Sequence, residues 1–197
     1  MMPRTVMTCS VLCAAAAVAL IAGCGTTAGT PRPASGAGAF PGTSASSTAT
    51  SLPDRPREVE LDGREPCGLL TDQQLPALKI DRAGRVVDND FYRTKGCSWT
   101  VIGASNDLVA VTTEGISAWT DGKRTGQTTA IDPVLGFPAF TVTLPGDEGS
   151  CDVMVDTAEG QYLAATFSVL PTYEDRFPAP CDGARELAEA AMENLLK

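Results

Sequence analysis

Four cysteines, Cys67, Cys97, Cys151 and Cys181, restrict this chain more than any other feature, because they remain after the leader and its boundary have claimed the other three. Cys9 and Cys13 lie in a leader with Arg4 as its only charged side chain, and Cys24 closes the segment Leu20-Ile21-Ala22-Gly23-Cys24, which has the form of a lipobox. The apolar run Val11 to Ala22 would span only ~18 Å as a helix, short of a ~30 Å hydrocarbon core, so a cleaved signal over residues 1–23 fits better than a membrane-spanning helix. Lipidation of Cys24 with two or more acyl chains would make a long-lived anchor on the extracytoplasmic face of the cell membrane. Outside the cytosol, an even set of thiols usually pairs. Zinc is the competing use, but no C-x-x-C spacing supports it.

Residues 24–56 form the next segment. From Gly25 to Pro56 nearly every residue is Gly, Ser, Thr, Ala or Pro, the exceptions being Arg32, Phe40, Leu52, Asp54 and Arg55. Such a composition cannot bury enough apolar surface to offset its ordering entropy and reads as a disordered tether, about 100 Å long if drawn taut. Residues 57–197 then make one globular domain.

Within that domain, Leu70-Thr71-Asp72-Gln73-Gln74-Leu75 carries a helix-start signature, with Thr71 as N-cap and Gln74 as its capping-box partner. Pro76 in the second turn predicts a short or kinked helix ending near Lys79. Asp81 to Lys95 is polar and reads as a loop or an edge hairpin. Alternation then predicts strands at Cys97 to Ile102, Leu108 to Thr113, Phe140 to Leu144, Cys151 to Asp156 and Tyr162 to Val169, the last two joined by a Thr157-Ala158-Glu159-Gly160 turn. Gly115 to Gly126 has room for a short helix carrying Trp119. Cys181, Ala184, Leu187, Ala188, Ala191, Met192 and Leu195 recur at helical spacing, with Arg185, Glu186, Glu189 and Glu193 opposite, which predicts an amphipathic C-terminal helix. The expected fold is α+β: an antiparallel sheet of about five strands, with N- and C-terminal helices packed on one face and two disulfides.

Two cysteines start helices and two sit on strands, so a bond from helix to strand makes two of the three connectivities attractive. Cys67 with Cys97 and Cys151 with Cys181 is preferred, because shorter loops close more readily.

Charge and chemistry narrow function mainly by exclusion. The net charge of -9 falls further once Arg4 leaves with the leader, which argues against nucleic acid and gives no attraction to anionic lipid. With no histidine in the chain, Ser-His-Asp and Cys-His sites are excluded, and no cofactor or metal is expected. Asp88, Asp90, Asp147, Glu148, Asp152 and Asp156 are the candidate carboxylates. Asp152 and Asp156, four apart on one strand, would stand ~13 Å apart, too far for a glycosidase pair. Trp119, Tyr162, Tyr173 and Phe177 lie outside the inward-facing pattern and are the candidate lining of a ligand or partner groove.

Pro66-Cys67-Gly68-Leu69-Leu70-Thr71, Gly96-Cys97-Ser98-Trp99, Gly136-Phe137-Pro138-Ala139, Cys151-Asp152-Val153 and Pro180-Cys181 stand in that order. In this the chain resembles the actinobacterial lipoproteins of the domain of unknown function 3558 family. The resemblance implies a cell-envelope lipoprotein and brings no catalytic residues with it. The leading expectation is a non-enzymatic, membrane-anchored module that binds an envelope protein or a small-molecule ligand. The alternatives are a carboxylate-dependent hydrolase of cell-wall glycan and a structural accessory subunit of an export or envelope complex.

Overall fold

The computed structural model describes residues 53–197. Cys24, the leader and nearly all of the tether lie outside the described residues. A single antiparallel sheet dominates the domain, built from β1 (Arg85–Asn89), β2 (Thr94–Val101), β3 (Ala104–Val111), β4 (Gln127–Val134), β5 (Phe137–Thr143), β6 (Ser150–Ala158) and β7 (Gln161–Val169). Its seven strands run in the order β1-β2-β3-β7-β6-β5-β4. Short hairpins join β1 to β2, β2 to β3, β4 to β5 and β6 to β7, and the longer link from β3 to β4 carries a one-turn helix, α1 (Ser117–Thr120). One long helix, α2 (Pro180–Leu195), closes the chain.

The fold is therefore mostly β, and two expectations need correction. The sheet has seven strands instead of about five, because both edge strands lack an apolar alternation to announce them. β4 is exposed along most of its length, carries Pro133 and a register shift, and so shows no buried face in its sequence. β1 settles the reading of Asp81 to Lys95 in favour of the edge hairpin.

The N-terminal helix is the second correction. Pro66–Leu69 forms a single 3-10 turn, and residues 72–79 form hydrogen-bonded turns without becoming a regular helix. The cap signal is real, since the Thr71 amide donates to Gln74 Oε1 at 2.9 Å. Gln74 is also committed elsewhere: its Nε2 donates to the Ala190 carbonyl of α2 at 2.8 Å, and Asn194 Nδ2 donates to its Oε1 at 2.7 Å. With Pro76 lacking an N–H and Lys79 at φ 57°, the segment stops as turns braced against α2.

Cross-strand register divides the sheet cleanly into two faces. On the first, Cys97, Leu108, Ala165 and Val153 stand in one row, and Trp99, Asn106, Phe167 and Cys151 in the next. The main core lies here, capped by Ala184, Leu187, Ala188, Ala191 and Met192 of α2, together with Val59, Leu61, Leu69 and Leu70 from the chain's entry. The disulfides fix this arrangement: Cys67–Cys97 ties the 3-10 turn to β2, and Cys151–Cys181 ties the start of α2 to β6. Pro180 at the first position of α2 and Asp182 in its first turn suit a helix N-terminus.

The second face changes character along its strands. Val111 and Tyr162 stand in one row, and Val109, Ala164, Met154 and Phe140 in the next, all buried under the link that carries α1. In the next two rows the side chains turn polar: Ser98, Asp107, Thr166 and Asp152, then Thr100, Ser105, Ser168 and Ser150. Among the described residues no helix covers this half of the face, and these side chains are half-buried or exposed.

Candidate functional site

The four aromatic side chains proposed to line one groove are split between the two faces. Trp119 (6% exposed) and Tyr162 (0%) belong to the packed cluster on the second face. Tyr173 and Phe177 pack against the main core on the first face. The physical reason is that alternation reports parity and not what lies above a face: Tyr162 does point away from α2, but the α1 link covers it.

That cover is held by a chain of polar contacts. Trp119 Nε1 donates to the Tyr162 hydroxyl at 3.1 Å, and the hydroxyl donates to Glu114 Oε1 at 2.9 Å. Arg124 Nε donates to the same carboxylate oxygen at 2.8 Å while its guanidinium lies 4.2 Å from the Phe91 ring centre. Burial pushes the Tyr162 and Tyr92 hydroxyls well above the ordinary phenol range, so both stay protonated and that of Tyr162 serves as a donor. Each member of the Trp119-Tyr162-Glu114-Arg124 chain has a partner, and the cluster acts as a fastener for the α1 link.

The open half of the second face leads instead to a cavity of about 720 Å³ at the end of the sheet. Three connections from distant parts of the chain enclose it: the β2–β3 turn at Gly103, the β5–β6 loop at Gly146 to Gly149, and the exit of β7 at Leu170 and Pro171. Gly103 is needed here on two counts, since its φ is +91° and the Tyr173 ring lies against it where a Cβ would stand. That contact seats the 3-10 turn Pro171–Arg176, which brings Glu174 to the cavity rim. The Ser150 and Ser168 hydroxyls are hydrogen-bonded to each other at 2.8 Å along its floor.

Next to the cavity, Asp107 and Asp152 flank Thr166 across β7, with backbones about 9.5 Å apart at two strand spacings. Burial raises both carboxyls above the ordinary aspartate range. Hydroxyls of Ser98 and Ser105 offset part of this for Asp107. For Asp152, the Thr166 hydroxyl offsets part and the charges of Asp147 and Asp107 add to the rise. Of the carboxylates singled out in the sequence, Asp147, Glu148 and Asp152 come together here. Asp156 is instead paired with Arg55 at 2.7 Å at the opposite end of β6, and Asp88 lies on edge strand β1 with Asp90 in the turn after it. Asp107 was missed because Asn106, buried on the inward face, hides the alternation of β3. Among the described residues no group of three or more Asp, Glu, Cys or His side chains is placed to hold a metal ion.

The raised carboxyls give a signed expectation. A group whose folded pKa exceeds its unfolded value is protonated first in the folded state, so its contribution to stability rises as pH falls through the folded value towards the unfolded one. Asp152→Asn keeps an acceptor for Thr166 and removes the buried charge. Its melting temperature is therefore expected above that of the parent at neutral pH, with the gap closing on acidification. A lower melting temperature at neutral pH would show that burial is not the dominant influence on this carboxyl.

Taken together, these features define a class: a disulfide-bonded, single-sheet β domain with one covering helix and an acidic, hydroxyl-lined cavity at the sheet end. The chain belongs to the family described as Protein of unknown function (DUF3558), whose model matches residues 19–194. Comparisons with curated proteins and with solved structures find no match.

Proposed function

We propose that this protein is a membrane-anchored, extracytoplasmic lipoprotein of the actinobacterial cell envelope, and that its domain is a non-enzymatic binding module. The observation that carries the binding role is the sheet-end cavity: its volume is in the range of small-ligand sites, and hydroxyls and carboxylates border space that the described residues leave unfilled. The anchor rests on the sequence around Cys24, and on an acidic chain with no electrostatic route to a bilayer.

A glycan hydrolase would draw on Asp107 and Asp152, the two carboxylates that share the open face. Both carboxyls are already engaged by neighbouring hydroxyls, Asp107 by those of Ser98 and Ser105 and Asp152 by that of Thr166, an arrangement that suits a polar binding surface.

One experiment tests both halves of this reading. The full chain, a Cys24→Ser variant and a Thr100→Trp variant, whose exposed side chain would fill the cavity mouth, are expressed in the native envelope and used for affinity capture. The parent is expected in the membrane fraction with its ligand, Cys24→Ser in the soluble fraction, and Thr100→Trp in the membrane fraction without the ligand. Equal recovery of ligand by the parent and Thr100→Trp would remove the cavity from the proposal. Fully cleaved Cys24→Ser retained through an alkaline wash would remove the anchor. Release of sugars from cell-wall glycan by the purified chain, abolished in Asp107→Asn, would replace binding by hydrolysis.

A further inference from the structure

Resting on the binding-module reading, we propose that the sheet-end cavity takes a small organic cation, a protonated primary amine carried on a short alkyl stem. The charge balance of the lining comes first. Asp147, Glu148 and Glu174 stand around the mouth, and among the described residues no lysine or arginine lines the cavity and none of these three carboxylates has an ion-pair partner. A cationic occupant is the one that gains from that field.

The polar floor sets the kind of cation. Ser105, Ser150 and Ser168 offer hydroxyl oxygens, and with the carboxylates they make a lining rich in acceptors. An ammonium group brings three donors and no acceptor, which matches such a lining without leaving a polar atom unpaired. A bare divalent ion fits poorly, because it needs several oxygens converging on one point, and no such group of side chains is present among the described residues. The carboxylates are spread around a wide mouth instead, a geometry suited to a cation of molecular size.

The stem follows from the apolar part of the wall. Leu170 and Pro171 contribute to the same cavity, and Leu170 is 58% exposed. A short polymethylene chain laid against them would remove apolar surface from water on both partners. Access is from one end of the sheet: Val59 N donates to the Thr157 carbonyl near the end of β6, and the cavity lies at the other end of β6 and β7. The occupant therefore approaches from the end of the sheet opposite Val59 and Thr157.

The test uses the nitrogen-labelled full chain in detergent, with amide shifts read on titration with cadaverine and, separately, with pentanediol, its neutral counterpart of equal stem length. Cadaverine is expected to shift the amides of Gly103, Gly149 and Leu170 and to bind at least about tenfold tighter than the diol. The combined variant Asp147→Asn, Glu148→Gln and Glu174→Gln, whose three positions are exposed, is expected to lose that tenfold preference while its remaining amide spectrum is unchanged. Raising the ionic strength of the parent should produce the same loss without any substitution, which keeps the test valid if the variant folds badly. Equal shifts with diol and diamine, shifts away from the cavity, or none with cadaverine at millimolar concentration would each overturn the cation assignment. Tight binding of the diol alone at these amides would do so while leaving the binding-module reading intact. Capture of the native ligand by Thr100→Trp is the result that removes that reading.

Discussion

Replacing Cys151 and Cys181 together by alanine is expected to lower the free energy of unfolding by about 3 to 4 kcal/mol, read by urea denaturation of the parent and the double variant. The bond closes a loop with a sequence separation of 30, and its removal returns that loop's entropy to the unfolded chain. It also releases the start of α2, whose buried face covers the middle of the sheet through Ala184, Leu187, Ala188, Ala191 and Met192. For a domain with a net stability of roughly 5 to 15 kcal/mol, such a loss is a large share of the total. A change below about 1 kcal/mol would mean that the helix docks as well without its covalent tie, and that the unfolded chain gains little freedom from the cut.

Trp99→Ala is expected to cost about 3 to 5 kcal/mol by the same measurement. Trp99 is 2% exposed and stands on β2 in the row that includes Asn106, Phe167 and Cys151. Gly84 shows how closely the indole is enclosed, since a Cβ there would lie 2.6 Å from the indole ring and would collide with Cys97 Sγ. Packing of that kind has no slack to collapse into the space an alanine leaves, so a cavity term adds to the lost transfer free energy. A loss below about 2 kcal/mol would show that Leu69, Leu70 and the entry segment can move in to fill it.

The elements that were legible in the sequence share one property: a single buried face. Cys97, Trp99 and Val101 on β2, Val153 and Val155 on β6, and Leu163, Ala165 and Phe167 on β7 all alternate against one continuous core, and α2 shows the same core at helical spacing. β4 was not legible because neither of its faces is buried for most of its length. The Thr71–Gln74 cap pointed to a helix that does not form, because Gln74 and Asn194 hydrogen-bond across to one another from segments more than a hundred residues apart, a relation no local pattern contains. The site was less legible still. Trp119 and Tyr162 were correctly placed off the main core, but the link that buries them comes from a crossover and not from their own neighbours in sequence. The cavity needs three loops brought to one end of the sheet, and only the strand order β2-β3-β7-β6 does that.

The way the chain joins the domain has a mechanical consequence. Arg55 is paired with Glu58 and Asp156, Val59 N donates to the Thr157 carbonyl of β6, and Leu61 N donates to Gln161 Oε1 at 2.7 Å, so a pull applied ahead of residue 53 meets these bonds one after another. Peeling stops at Cys67, where the covalent bond to Cys97 passes the force directly into β2. The looped segment between those two cysteines, with the 72–79 turns and β1, then carries no load. A domain dragged from its amino end gives up its entry segment as slack before the sheet feels the strain.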